Sequence, residues 1–231
     1  MSAAGELPPW QQVLVVVAHP DDESFGLGSV IAAFTARGAD VDVLCLTRGE
    51  ASTLHGVDGG PAPDPADLAV LRESELREAG RVLGVRTVQL LDRPDGGLTA
   101  LPAGVLAGDV ATALEGAGYD GILAFDPSGV SGHPDHAAAT AAAVDGTDLP
   151  VLVWTLDAGV ADRLNRETGG CFTGHEQVDI LLPVDRTRQR AAVACHPSQA
   201  VPSSVLWRRM ELCGEHERLR WARPPVPVDA G

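Results

Sequence analysis

The first strong hydrophobic signal is residues 13–18, Val-Leu-Val-Val-Val-Ala, an unbroken and mostly β-branched run of the kind buried on both faces of a parallel sheet. It stops at His19-Pro20. Residues 24–37 read as a helix closed by Gly38, and residues 41–46 return as a second apolar strand, completing one βαβ unit. Residues 51–65 are crowded with Gly, Pro and Asp and predict a long loop, a length that in a compact domain marks the rim of a site or a mobile segment. Apolar positions recur at helical spacing over residues 67–83, with Arg72, Glu73, Glu75, Arg77 and Glu78 between them, and Gly84 ends that helix before a strand at 87–91. Helix 101–114, strand 121–125, helix 133–144 and strand 151–155 follow. After an irregular stretch, residues 178–184 predict the last strand, and Asp185 caps a helix reaching about residue 195.

This alternation predicts an α/β fold, a Rossmann-like three-layer sandwich with a mostly parallel central sheet. No internal repeat is present. A length of 231 residues with 45% apolar and 21% charged positions suits one domain over 1–231, with a core at about 13–199 and a loose Pro-rich tail at 223–231. The formal charge of −15, from 32 acidic against 17 basic residues, all of them Arg, argues against nucleic-acid or anionic-membrane partners. Cys45, Cys171, Cys195 and Cys213 form no CxxC pair, so no thiolate zinc knuckle or redox motif is written here and reduced thiols are expected. Residues 1–12 show no basic stretch followed by an apolar one, and no run approaches ~18 uninterrupted apolar residues; a soluble cytoplasmic protein is expected.

In open α/β sheets ligands sit beyond the carboxyl ends of the strands, so the residues after strands one and four carry the most information. Ala18-His19-Pro20-Asp21-Asp22-Glu23 packs one imidazole and three carboxylates together, and Gly132-His133-Pro134-Asp135-His136 places two imidazoles at a loop-to-helix junction. Alone, an Asp-Asp pair before a helix is an N-cap favoured by the helix dipole, and a lone His there is unremarkable packing. Two His-Pro-Asp tripeptides at equivalent places of one sheet exceed what capping requires. They supply the nitrogen and oxygen donors of a catalytic metal site that leaves one position to water.

The AHPDDE run at 18–23 and the HPDH run at 133–136 resemble the hallmarks of the zinc-dependent de-N-acetylases. That family includes N-acetylglucosaminyl-phosphatidylinositol de-N-acetylases, LmbE-like proteins and deacetylases of mycothiol and bacillithiol precursors. The similarity runs over residues 13–199, through Thr47-Arg48-Gly49-Glu50, residues 72–84, Pro94-Asp95-Gly96-Gly97 and Cys195-His196-Pro197-Ser198-Gln199. The resemblance implies His19, Asp22 and His136 as ligands of Zn2+, a set that also admits Fe2+ or another divalent metal. It implies Asp21 as the general base toward the water that zinc activates, and His133 as a protonated group that stabilises the oxyanion or donates to the leaving amine. Asp135 and Glu23 would support the ligands from behind. Arg72 and Asp95 match positions that contact the sugar or its substituents, and Glu50, which follows strand two on the same edge of the sheet, is a further expected substrate contact, although Arg72 could pair with Glu75 or Glu78 on its own helix and Pro-Asp-Gly-Gly is itself a turn sequence.

The implied reaction removes an acetyl or similar acyl group from the amide nitrogen of a small N-acylated amino-sugar derivative. A thiol-conjugate amidase or a deacylase of a secondary metabolite shares the same chemistry. A non-catalytic metal- or sugar-binding relative needs neither Asp21 nor His133, and a Rossmann nucleotide enzyme would need a Gly-x-Gly-x-x-Gly turn where Ala18-His19-Pro20 stands. Some relatives carry Tyr two residues before HPDH, where this chain has Ser131; its only tyrosine, Tyr119, is expected at the opposite sheet edge. His196 either lines the cleft or packs beneath it, and His55, His175 and His216 read as loop or surface residues. Homo-oligomers are common among such domains, with edge strands or residues 201–212 as the candidate interface.

Overall fold

Side chains alternate across β1 (Gln12–Val17), and this alternation sets the layering. Val13, Val15 and Val17 enter one buried cluster, while Leu14 and Val16 enter another on the opposite face. The computed structural model describes residues 5–53 and 63–226. β1 lies at the centre of an eight-stranded sheet, parallel to β2 (Asp40–Thr47) on one side and to β4 (Gly121–Phe125) on the other. β3 (Thr87–Arg93) extends the sheet beyond β2, and β5 (Val151–Asp157) extends it beyond β4. A two-residue β6 (Gly174–His175) runs parallel to the end of β5.

The first face is covered by α2 (Gly28–Ala36), α3 (Pro65–Leu83), α6 (Ala158–Thr168) and α7 (Thr187–Val193), whose Ile31, Leu76, Leu164 and Ala192 join the Val13 cluster. On the other face, α4 (Val105–Leu114) and α5 (Pro134–Asp145) pack Val110, Ala139 and Ala143 against Leu14 and Val16. The three layers expected from the alternation are therefore present. The helix expected at 24–37 is broken. A single turn, α1 (Asp22–Phe25), ends at Gly26, where a Cβ would come within 2.4 Å of the Phe125 ring, and α2 starts afresh at Gly28.

The sheet also runs past the expected core. β8 (His216–Arg223) inserts antiparallel between β5 and β7 (Ile180–Pro183), preceded by α8 (Val205–Cys213). Arg223, the first residue of the expected tail, thus closes a strand, and residues 227–231 lie outside the described residues. Within residues 201–212, Val201, Leu206, Arg209 and Met210 are buried in the chain's own core, while Pro202, Ser203, Val205 and Glu211 stay exposed. Among the described residues no helix is long and apolar enough to cross a membrane.

At the end of the sheet away from the β1–β4 loops, buried Asp42 ties three segments together. Its carboxylate accepts from Arg86 Nε at 3.1 Å, Thr87 Oγ1 at 2.6 Å and the Tyr119 hydroxyl at 2.8 Å, which places Tyr119 at the far edge as expected. Burial opposes its ionisation, but these donors hold the carboxyl below its ordinary value. Asp42→Ala orphans all three donors and should lower unfolding stability by about 1–3 kcal/mol in urea titrations. Because the folded pKa lies below the unfolded one, the Asp42 contribution is complete above about pH 4 and fades as pH falls through the lowered value. Wild type and variant should therefore converge in acid.

Candidate metal and catalytic site

The strand order reverses direction between β1 and β4, so the loops that leave these neighbouring strands flank one crevice at the carboxyl edge of the sheet. The first loop brings His19, Asp21 and Asp22; the second, entering α5 through His133 as its N-cap, brings His133 and His136. They meet in a cavity of about 510 Å³ that is also lined by Arg72, Asp95, Ser131, Phe125 and Trp154. From the expected rim loop, Ala51, Ser52 and Thr53 line it, and residues 54–62, including His55, lie outside the described residues.

Asp22 links the two loops. Its Oδ2 accepts from the backbone N–H of His19 at 2.9 Å and of Ala18 at 3.2 Å, and lies 3.6 Å from His19 Nδ1. Its Oδ1 faces His136 Nε2 at 3.1 Å. His136 Nδ1 lies 3.1 Å from the Gly129 carbonyl, an acceptor that fixes the ring proton on Nδ1 and leaves Nε2 as a lone pair. A lone pair facing a carboxylate oxygen at 3.1 Å requires a proton or a cation between them. Burial opposes the charge on Asp22, yet His136 and His19 hold its carboxyl well below the usual range.

His19 Nε2 is buried without a hydrogen bond, although Asp95 Oδ1 lies at 3.1 Å and Asp135 Oδ2 at 3.5 Å. Burial by itself would lower the His19 pKa, but the carboxylates of Asp135, Asp22 and Asp95 hold it well above its ordinary value. Both observations describe a pocket that demands positive charge. The donor atoms suit a metal ion: His19 with His133 and His136, or His19 with Asp95 and Asp135, each place one ligand atom per residue within 4.8 Å of the others.

Asp21 lies beside these donors and belongs to neither cluster. It sits at φ 122°, ψ −27°, a conformation that L residues rarely adopt, held by its own N–H donating to Glu23 Oε2 at 2.9 Å and by Arg72 Nη2 at 3.0 Å from its carboxylate. Burial pushes the Asp21 carboxyl up to about 6, against the pull of the Arg72 cation. Arg72 is buried and also donates to the carbonyls of Gly49, at 2.7 Å, and Pro20, so it is no surface ion pair. Glu75 turns away to Ser198, whose Oγ donates to it at 2.6 Å.

Asp95 reaches His19 and accepts from Ala51 N–H at 2.8 Å. Asp135 accepts from Gly96 and Leu98 N–H at 2.8 and 3.1 Å, fixing that loop behind His19. Glu23 is fully buried and joined at 2.7 Å to His196 Nε2, so His196 packs beneath the cleft. Glu50 is not among the residues that line the cavity; its Oε1 accepts from Asp95 N–H at 3.0 Å, which supports the turn that carries Asp95.

The surroundings of His133 oppose the protonated form expected of it. Burial, then the neighbouring His19 and His136, push its pKa down, outweighing the carboxylates. Its Nδ1 accepts from Asp135 N–H at 3.2 Å, so the neutral ring still carries a donor at Nε2. His175 is also not a free loop residue, because its Nε2 meets buried Asp126 Oδ2 at 3.0 Å; His216 is exposed on β8. Sequence reasoning missed the wall formed by Phe25, Trp154, Phe172 and Arg209, which is assembled from four distant segments.

The model of the family described as "PIG-L: GlcNAc-PI de-N-acetylase" matches residues 14–146, which span both motifs. The chain belongs to the PIG-L family. A 1D-myo-inositol 2-acetamido-2-deoxy-alpha-D-glucopyranoside deacetylase from Mycolicibacterium gilvum is 37% identical over 174 residues, 66% of this PIG-L chain but only 61% of that relative's length. Among solved structures, N,N'-diacetylchitobiose deacetylase from Pyrococcus horikoshii superposes with TM-score 0.63 at 22% identity, covering 93% of this chain and 85% of the other. The 4-carboxy-2-hydroxymuconate hydratase from Pseudomonas putida gives TM-score 0.69 at 17% identity, covering 96% and 100%. These two likenesses show the PIG-L fold alone, and the fold hosts more than one chemistry.

The geometry of the second loop rests on Gly129, which has φ +73° and whose carbonyl orients His136. A Cβ there would lie 2.6 Å from the His133 carbonyl oxygen. Gly129→Ala should displace both imidazoles, weakening divalent-metal binding at least tenfold in titrations while far-UV circular dichroism stays native.

Proposed function

We propose that this protein is a zinc-dependent deacetylase that hydrolyses the acetamide of a small N-acetylated amino-sugar derivative, with His19, Asp22 and His136 holding the metal. The observation that carries this reading is the facing pair of acceptors, Asp22 Oδ1 and His136 Nε2, 3.1 Å apart beside the unpartnered His19 Nε2. The 3.1 Å between Asp22 Oδ1 and His136 Nε2 matches two tetrahedral ligands each about 2.0–2.1 Å from one ion, and His19 places a ligand atom within 4.8 Å of one from His136. Of the other donors nearby, both oxygens of Asp135 accept backbone N–H groups and His133 Nδ1 accepts from Asp135 N–H, while Asp95 keeps Oδ1 toward His19 Nε2. When bound, zinc acts as a Lewis acid that polarises a carbonyl and brings the pKa of water to about 7.

Asp21 takes the proton of the attacking water, its carboxyl raised by burial toward the neutral range where a general base works best. Arg72 holds that carboxylate in place and keeps it ionisable. His133 Nε2–H donates a hydrogen bond to the oxygen that gains charge as the amide carbonyl becomes tetrahedral, which a neutral imidazole can do, and the proton that Asp21 takes from the water is the one returned to the departing amine. Ser131 lines the cavity where some relatives have Tyr, so His133 and the metal carry oxyanion stabilisation without a phenol. The relative from Mycolicibacterium gilvum supports an N-acetylglucosamine-type substrate. The free thiols of Cys45, Cys171, Cys195 and Cys213 support a cytoplasmic setting.

Asp21→Ala should retain one equivalent of zinc by elemental analysis while kcat for amine release from N-acetylglucosamine derivatives falls about 10²–10⁴-fold. His136→Ala should lose the zinc. Retained zinc and normal turnover in His136→Ala would contradict the ligand assignment.

The base must be ionised, so kcat/KM should rise as pH increases through about 6. Arg72→Gln removes the cation that lowers the Asp21 pKa, and its acid limb should move to higher pH. An unmoved limb would show that another group limits the reaction in acid.

A further inference from the structure

Away from the imidazoles the cavity changes character. Phe25, Phe125, Trp154, Phe172 and Leu206 form an apolar wall that ends at Arg209. A series of contacts connects the two ends: Phe125 lies 4.9 Å from the His136 ring and 5.3 Å from Trp154, and the Arg209 guanidinium lies 4.9 Å over Trp154. Arg209 occupies the buried stripe of α8 with Leu206, Met210 and Cys213, and is only 5% exposed.

A cation in an apolar stripe needs a partner. Arg209 Nη2 donates to the Phe25 carbonyl and the guanidinium also meets the neutral Cys213 thiol, but Nη1 is buried with no hydrogen-bond acceptor among the described residues. The neighbouring carboxylate, Glu217, is already committed: it takes Arg186 Nη1, Ser29 Oγ at 2.9 Å and Trp154 Nε1 at 2.7 Å. Two guanidinium groups therefore share one carboxylate, leaving one positive charge in excess at this wall of a chain whose net charge is −15. A monoanion arriving from the cavity satisfies both the charge and the unpaired N–H. A guanidinium fork suits a carboxylate, and a phosphate dianion would overcompensate a single charge.

We infer that Arg209 is a specificity-determining residue that receives a carboxylate at the end of an apolar arm of the substrate, the arm lying along Phe125 and Trp154 while the acetamide reaches His136 and Asp22. This rests on the deacetylase reading for the orientation of the substrate, and on Arg209 itself for the arm.

The test compares two N-acetylglucosaminides, one with a phenyl and one with a 4-carboxyphenyl aglycone, on the zinc-loaded protein, by calorimetric titration and by amine release. The carboxylated glycoside should bind roughly tenfold or more tightly, the contribution of one charge-assisted hydrogen bond. Arg209→Met should abolish that ratio and Arg209→Lys should keep part of it. Equal affinities, a preference that survives Arg209→Met, or no binding of the carboxylated glycoside would overturn the inference. If Arg209→Met fails to fold, the wild-type ratio and the Arg209→Lys protein decide it. A binding preference without amine release from either compound would leave Arg209 standing and remove the deacetylase reading; amine release with no preference would do the reverse.

Discussion

One carboxylate, that of Asp22, answers to two loops at once. Its Oδ2 is fixed by the N–H groups of Ala18 and His19 where β1 ends, and its Oδ1 is aimed at an imidazole carried by the segment after β4. The two loops can meet only because β1 and β4 are parallel neighbours at the point where the strand order reverses, and the register Val13 to Gly121 sets how far each strand reaches. Asp21 bears the strain of this arrangement in a left-handed backbone conformation. Arg72 and Glu23 compensate by holding its carboxylate and its N–H, and His196 holds Glu23 in turn. The chemistry of the crevice thus depends on a buried polar network under α1 whose members are spread from residue 21 to residue 196.

Where hydrophobic patterning was strong, the sequence anticipated the structure closely. The strand at 121–125 matches β4, and the apolar run at 13–18 covers β1 and leads directly into His19. The metal-type donors were readable because two His-Pro-Asp tripeptides follow strands that the pattern had already located. α6 carries only a narrow apolar stripe, Val160, Ala161 and Leu164, in an otherwise polar segment, so it read as irregular. β8 was missed for a different reason. It inserts Glu217 and several arginines into the sheet, and Glu217 is tolerable there only because Arg186, Ser29 and Trp154 satisfy it. Long-range pairings of that kind leave no trace in local periodicity. The same limit hid the hydrogen bond that Glu50 accepts from Asp95 N–H and the downward push on the His133 pKa, both set by neighbours far away in the chain.

The fold by itself does not choose a reaction, since a hydratase and a deacetylase share its outline. What narrows the choice is the pairing of a cation-seeking donor cluster with a buried carboxyl tuned toward neutrality beside it. On the proposed reading, the acidic end of the cavity would hold the metal and the base, and the aromatic end, built by β5, the segment before β6 and α8, would receive the rest of the substrate.

All of these roles depend on one metal ion joining the two loops. Anomalous diffraction at the zinc edge from a zinc-loaded crystal should show a single peak about 2.0–2.2 Å from both Asp22 Oδ1 and His136 Nε2, with His19 completing the protein ligands. A peak seated between Asp95 and Asp135 instead, or no peak in the crevice, would contradict it.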